Sequence, residues 1–462
     1  MPFSIPGDKV KYFYNRVGFG IPFRGPKSKN TSSLQNEWGN TSSKPQLLSS
    51  VEKPVAKEHP APEKFKEALQ KSRQDLMKLN LAWMEQMRTT VSPLQEKMTL
   101  FWHDHFSCRT RIPYLAQQQN NTLRIFGFGK FEELLMAVSK DPAMLQFLNN
   151  QQNKKGSPNE NFAREVMELF TLGRGNYSEH DIREAARAFT GWGFNGGGEF
   201  QFHSRQHDEE EKSFRGKTGN FSGEDILHLI IEDPKTAHFI TKKIVRYFVS
   251  QEDVNPELVE SLSASFFQSG YDVEGLLHQI FSSDWFYETR YAGNRIKSPT
   301  ELLLSIQNHT GGKFENAQSL IFFQRAFGQL LFFPPNVGGW PKGQGWIDSS
   351  SLLLRMSLPQ MIFHRQENGF EAKDDGDVNS INESFHGKRN LSLVVDWENI
   401  ARSFSRSANE TVELAEAFLL ARPTTKVNRE LITSMASKST DDTEFVKKVF
   451  TGFMSLPEYQ LC

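Results

Sequence analysis

The sequence predicts a mainly α protein, a multi-helix globular body carrying one small β-hairpin. Three observations predict it. Apolar residues recur at three- and four-residue intervals through most of the chain, which is the spacing of one helix face. Residues that start helices stand where such segments begin: Ser157-Pro158, Ser178 with Asp181 three residues on, and Asp233-Pro234. Only Glu199-Phe200-Gln201-Phe202-His203-Ser204-Arg205-Gln206-His207 alternates, and with 212–216 it is expected to pair as the hairpin.

Taken in order, residues 1–23 form an N-terminal unit whose segment 9–20 reads as a short aromatic helix closed by glycines. Across 24–62 Ser, Asn, Thr, Lys, Pro and Gly take over and periodicity is lost, as in a linker. A main helical body, 63–366, follows, with helical spacing over 68–86, 93–105, 131–138, 159–172, 178–189, 236–249, 256–268, 273–281, 298–307 and 316–331. A second polar stretch, 367–390, contains Asp374-Asp375-Gly376-Asp377 and sets off a C-terminal helical unit, 391–462. Phenylalanine occurs 39 times, so the core is expected to be built from rings, which bury large areas and meet edge-to-face.

Composition excludes several classes. Lys plus Arg number 54 against 55 Asp plus Glu, so the net charge is −1 and no nucleic-acid footprint is expected. No run approaches the roughly eighteen apolar residues of a membrane span. The start, Met1-Pro2-Phe3-Ser4-Ile5-Pro6-Gly7-Asp8, lacks the blocks of a signal peptide, which points to the cytoplasm. Cys108 and Cys462 alone make no disulfide framework.

The sharpest local chemistry is His103-Asp104-His105. Two residues apart, imidazoles share a side on an extended chain but diverge by about 200° on a helix. If the helix from Pro93 stops near Trp102, His103, Asp104 and His105 join His207 and Asp208 as ligands of a divalent metal. If it continues, one histidine packs on Phe101 and the other is exposed. On a strand His203, Arg205 and His207 share one face, suited to an anion or a metal, or simply solvated. The segment from Asn159 places Glu160, Arg164 and Glu168 at four-residue intervals, and Arg187 follows on the next helix. These residues either bridge two helices or, with Glu165, supply a general base and its partners. Trp340 and Trp346, on the Gly/Pro-rich loop 334–351, either stack on a bound ring or plug into the body. Lys242, Lys243 and Arg246 read as a solvated helix face, with anion binding as the alternative. Gly191-Trp192-Gly193-Phe194-Asn195-Gly196 has the letters of a dinucleotide fingerprint without its strand–helix context, so it is a chance match.

Four segments together resemble one family: Phe101-Trp102-His103-Asp104-His105-Phe106; residues 158–173; Glu184-Ala185-Ala186-Arg187-Ala188-Phe189-Thr190-Gly191-Trp192; and Pro334-Pro335-Asn336-Val337-Gly338-Gly339-Trp340-Pro341. With Asn15-Arg16-Val17-Gly18-Phe19-Gly20 before them and Lys297-Ser298-Pro299-Thr300-Glu301-Leu302 between them, they are similar to the bacterial domain of unknown function 1800. The resemblance supplies no catalytic residues. It implies a partner from the domain-of-unknown-function 1501 family and, for many relatives, export. Glu209-Glu210-Glu211 departs from the glycine-containing version expected there. Two functions follow: a metal-dependent hydrolase-like enzyme with a His/Asp/Glu site, or a non-catalytic binding or assembly protein with a protein or polysaccharide partner.

Overall fold

A computed structural model describes residues 7–23, 25, 45–53, 62–251, 254–364, 391–404 and 406–462. The linker expected at 367–390 lies outside the described residues. Among those described the chain is mainly α. The first helices are α1 (Asp8–Val17), α2 (Pro62–Thr89), α3 (Pro93–His105), α4 (Pro113–Phe126), α5 (Phe131–Ser139) and α6 (Pro142–Phe147). Next, α7 (Asn161–Glu165) runs on as a π-helical turn, Val166–Thr171, before α8 (Glu179–Ala188). Four strands follow: β1 (Trp192–Phe194), β2 (Phe200–Phe202), β3 (Lys212–Phe214) and β4 (Lys217–Gly219). Then come α9 (Gly223–Ile231), α10 (Pro234–Phe248), α11 (Pro256–Gln268), α12 (Val273–Ser282), α13 (Pro299–Thr310), β5 (Lys313–Phe314), α14 (Gln318–Ala326) and α15 (Ser349–His364). The last elements are β6 (Leu393–Val394), α16 (Trp397–Phe404), α17 (Ala408–Leu419), α18 (Lys426–Ala436) and α19 (Asp442–Met454).

The start signals act as their chemistry requires. Ser178 and Asp181 close a reciprocal capping box, as do Ser298 and Glu301, and Asp233 accepts from the Lys235 amide ahead of α10. The hairpin differs from expectation, because β2 pairs with β1 and not with 212–216. Asn195 provides the reason. Its side chain accepts from the Gly197 and Glu199 amides, which folds the intervening glycines into a turn and brings β1 alongside β2. β3 pairs with β4 as a second hairpin, and β5 with β6 as a third small pair.

Rings do build the core. Phe13, Phe106, Phe131, Phe248, Phe323 and Phe450 are all buried in one contiguous cluster running from Val10 to Tyr459. Residues 45–53, inside the stretch read as linker, are pinned along α4. Asn121 exchanges two hydrogen bonds of 2.9 Å with the Leu48 backbone, and Gln117 exchanges two of 2.9 and 2.8 Å with that of Val51. One helical turn separates the two amides, so they act as two rungs holding an extended segment. No helix among the described residues is long and apolar enough to cross a membrane.

Candidate functional site

Helix α3 continues to His105, so its two histidines diverge. His103 points into a ring cluster of Trp83, Phe332 and Trp340, with centroids 5.0–5.2 Å away. Its Nε2 accepts the Phe332 amide at 3.2 Å, which leaves the proton on Nδ1. Burial, reinforced by Arg124, lowers its pKa to about 3, so His103 is a neutral core residue at pH 7. His105 faces the other way. Its Nε2 donates to the Phe170 carbonyl at 3.1 Å, and its Nδ1 then accepts from Lys243 Nζ at 2.9 Å. It stacks on Phe101 and, like His103, is buried; neither histidine is exposed.

Asp104 lies between them at the helix end and serves as a dock for the Trp340 loop. Oδ1 accepts the Trp340 amide at 3.0 Å, and Oδ2 pairs with Lys342 at 2.8 Å. Gly339 makes this approach possible. It has φ +87°, and a Cβ there would stand 2.3 Å from Asp104 Oδ1.

Behind Asp104 and His105 opens a cleft of about 570 Å³, bordered by α3, α10, α13 and the loop after Trp340. Phe101, Tyr247 and Trp346 supply apolar wall, while Lys243, Arg246, Arg295 and Lys342 supply positive charge. Glu301 and Asp104 are the two carboxylates on its border. Glu301 is consumed by an inner network, pairing with Lys97 and, at 2.5 Å, with Arg295, while its Oε2 accepts the Ser298 amide in the capping box of α13. Burial pushes its carboxyl up, but Arg295 and Lys97 outweigh that and hold it well below the usual carboxylate range.

Lys243 is the unusual member. Its Nζ has two neutral acceptors, His105 Nδ1 and the Leu169 carbonyl, both at 2.9 Å, and the Phe239 ring 4.5 Å away. Leu169 and Phe170 belong to the π-helical turn, whose last carbonyls have no partners within the helix and so are free for Lys243 and His105. No carboxylate among the described residues lies within ion-pair distance of Lys243. Burial first, then nearby Lys342, lower its pKa to about 7, with Asp104 opposing. Arg246, one turn on, is exposed and has no ion-pair partner among the described residues.

The other residues singled out from the sequence lie elsewhere. His207 bonds the Thr190 carbonyl at 2.9 Å and packs on Phe202, and Asp208 pairs with Arg187 at 2.7 Å. Strand β2 ends at Phe202 and Ser204–Gln206 is a 3-10 turn, so His203, Arg205 and His207 share no strand face. Arg205 is exposed and His203 half-buried. Arg164 bridges Glu160 at 3.2 Å and Glu179 at 2.8 Å, the helix-to-helix alternative of the two readings. Burial and neighbouring Glu168 raise the Glu165 carboxyl above its ordinary value, but Glu165 does not border the cleft. Trp340 and Trp346 are both buried, Trp340 against His103 and Trp346 in the cleft wall. The residues read as metal ligands are thus not brought together, and no group of three His, Cys, Asp or Glu suited to a metal ion occurs among the described residues.

Sequence reasoning missed Arg295 and Glu301 as site residues, and it offered Lys243 only as one member of a cationic helix face. Lys243 was hidden because its helix face looks solvated until the π-helical turn is set against it. Glu301 stands inside a segment that carries the family resemblance, but its capping duty concealed its second one.

No curated protein and no solved structure matches this chain. Four of the resemblance segments meet at or directly behind the cleft: Phe101 to Phe106, the π-helical part of 158–173, Ser298 with Glu301, and the Trp340 loop. Residues 13–461 match the family described as "Protein of unknown function (DUF1800)", and the chain belongs to that family.

Proposed function

We propose that this protein binds a small anionic ligand, one bearing a carboxylate, phosphate or sulfate group, in the cleft beside His105. One observation carries the reading. Arg246, Arg295 and Lys342, with the Lys243 amine beside them, border the cleft against two carboxylates, in a chain whose net charge is −1, and both carboxylates are already engaged. Among the described residues Arg246 is left without a counter-ion, and low-dielectric walls focus its charge inward. Phe101, Tyr247 and Trp346 add the apolar surface on which a ring or short chain can rest. This favours the binding role over the hydrolase-like one. A divalent metal draws little support, since both nitrogens of His105 and both oxygens of Asp104 already have partners. A partner from the 1501 family is a separate matter, tested by co-purification.

The test is thermal shift and calorimetry with citrate, gluconate, phosphate and sulfate at matched ionic strength, with glucose as the neutral control. At least one anion is expected to raise the melting temperature, and Arg246→Ala/Lys342→Ala to remove that rise. Equal responses of the wild type and the double variant to every anion would overturn the reading.

A further inference from the structure

Resting on that anion-binding cleft, we propose that Lys243 is its reactive group: an amine that condenses with the carbonyl carbon of an oxo acid to form a Schiff base.

The geometry is that of an amine held for attack. His105 Nε2 donates to the Phe170 carbonyl, so Nδ1 can only accept, and one N–H of Lys243 is committed to it at 2.9 Å. A second N–H is committed to the Leu169 carbonyl, also at 2.9 Å. Two tetrahedral positions on Nζ are therefore fixed by neutral acceptors, and the third is left for a ligand in the cleft that Lys243 borders. The surroundings favour the uncharged amine. No carboxylate pairs with it, Phe239 covers one side, and Lys342, tied to Asp104, adds positive charge nearby. Desolvation beside another cation is a recognised way of making lysine nucleophilic near neutrality.

The chemistry balances without an added reagent. The Nζ lone pair forms the C–N bond while the carbonyl π pair moves to oxygen. The nitrogen then sheds a proton and the oxygen takes one up, which gives the carbinolamine. Loss of water leaves C=N, so amine and carbonyl give imine and water with no change of oxidation state. Arg246 and Lys342 face the same cleft and are placed to hold the acid's carboxylate. Lys243 touches substrate in this scheme; His105 acts on it as a positioning residue.

The experiment treats the full chain with glyoxylate or pyruvate and sodium cyanoborohydride at pH 7.5, followed by intact-mass and peptide mass spectrometry. One dominant adduct, the acid's mass less one oxygen, is expected on Lys243, formed at least about tenfold faster than on the other lysines. Lys243→Arg keeps a long hydrogen-bonding side chain without a nucleophilic amine and should lose the adduct. Labelling of wild type spread over exposed lysines, with Lys243 not leading, overturns the proposal, and peptide mapping reads this without any variant. Anion-induced thermal shifts with Lys243 unlabelled defeat the amine and leave the binding reading standing. A Lys243 adduct with no thermal response to simple anions upholds the amine and defeats the binding reading.

Discussion

Lys212 and Lys243 are both largely shielded from water, and both have pKa values lowered first by burial. Their surroundings differ in kind. Lys212 gives its three ammonium protons to the Asp208 and Glu210 carbonyls and to Asn220 Oδ1, at 2.6, 2.9 and 3.3 Å, with the Asp208 carboxylate close enough to oppose its loss of charge. Next to it Arg187 is matched by Glu184, Asp208 and Glu210. Lys243 has two neutral acceptors, an aromatic face and another lysine. A buried charge whose bonds close locally is part of the architecture. One left short of a counter-ion beside a cleft is where a ligand has something to add. The carboxylate-rich helices drew attention as candidate catalysts, yet they have the closed character, whereas the lysine on a seemingly solvated face has the open one.

The comparison is most severely tested at the closed network beneath the cleft. Glu301→Gln strands Lys97 and Arg295 as buried cations and should cost about 3–5 kcal/mol in urea unfolding. A loss below about 1 kcal/mol would show that closure there contributes little. His103 gives the next effect. Folded, it titrates near pH 3, and unfolded near 6.5, so the unfolded chain binds the extra proton in between. Its contribution is complete above pH 6.5 and is lost as the pH falls toward 3, at about 1.4 kcal/mol per unit. His103→Gln should therefore show a shallower loss of stability than wild type between pH 6.5 and 4; parallel curves would refute this.

One substitution applied to both lysines sharpens the contrast. Lys212→Met leaves three acceptors unpaired and should destabilise by about 2 kcal/mol. Lys243→Met leaves two acceptors unpaired but also removes an amine without a counter-ion, and should destabilise by less, under about 1 kcal/mol at pH 7. Wild type should also gain stability as the pH rises from 7 toward 10, because there the unfolded lysine still holds a proton that the folded one has lost; Lys243→Met should lack that gain. Equal losses at the two positions would erase the distinction.

Much of the fold was legible because helical periodicity and capping are local. The boundaries Pro93–His105 and Pro256–Gln268 could be read from spacing and the proline at the first turn. The partner of β2 was not legible, since it depends on the Asn195 side chain folding the glycines after it into a turn. At the site, Asp104 and His105 were visible as polar residues inside a family segment. Their separation from His103 was legible only as one of two alternatives, because it depends on whether the last residues of the segment stay helical, where side chains two apart diverge by about 200°. Lys243 was invisible for a different reason: nothing in its own segment distinguishes it from Lys242.

The π-helical turn Val166–Thr171 has a consequence for how such a site changes through descent. The hydrogen bonds it offers Lys243 and His105 are to two backbone carbonyl oxygens, so point substitutions along it leave both acceptors in place. Deleting a single residue rotates the rest of the turn by about 100° and carries both carbonyls off target together. The amine is thus tied to the length of a neighbouring helix and not to its spelling. In this chain one codon's worth of length, more than any letter, separates a reactive lysine from an ordinary one.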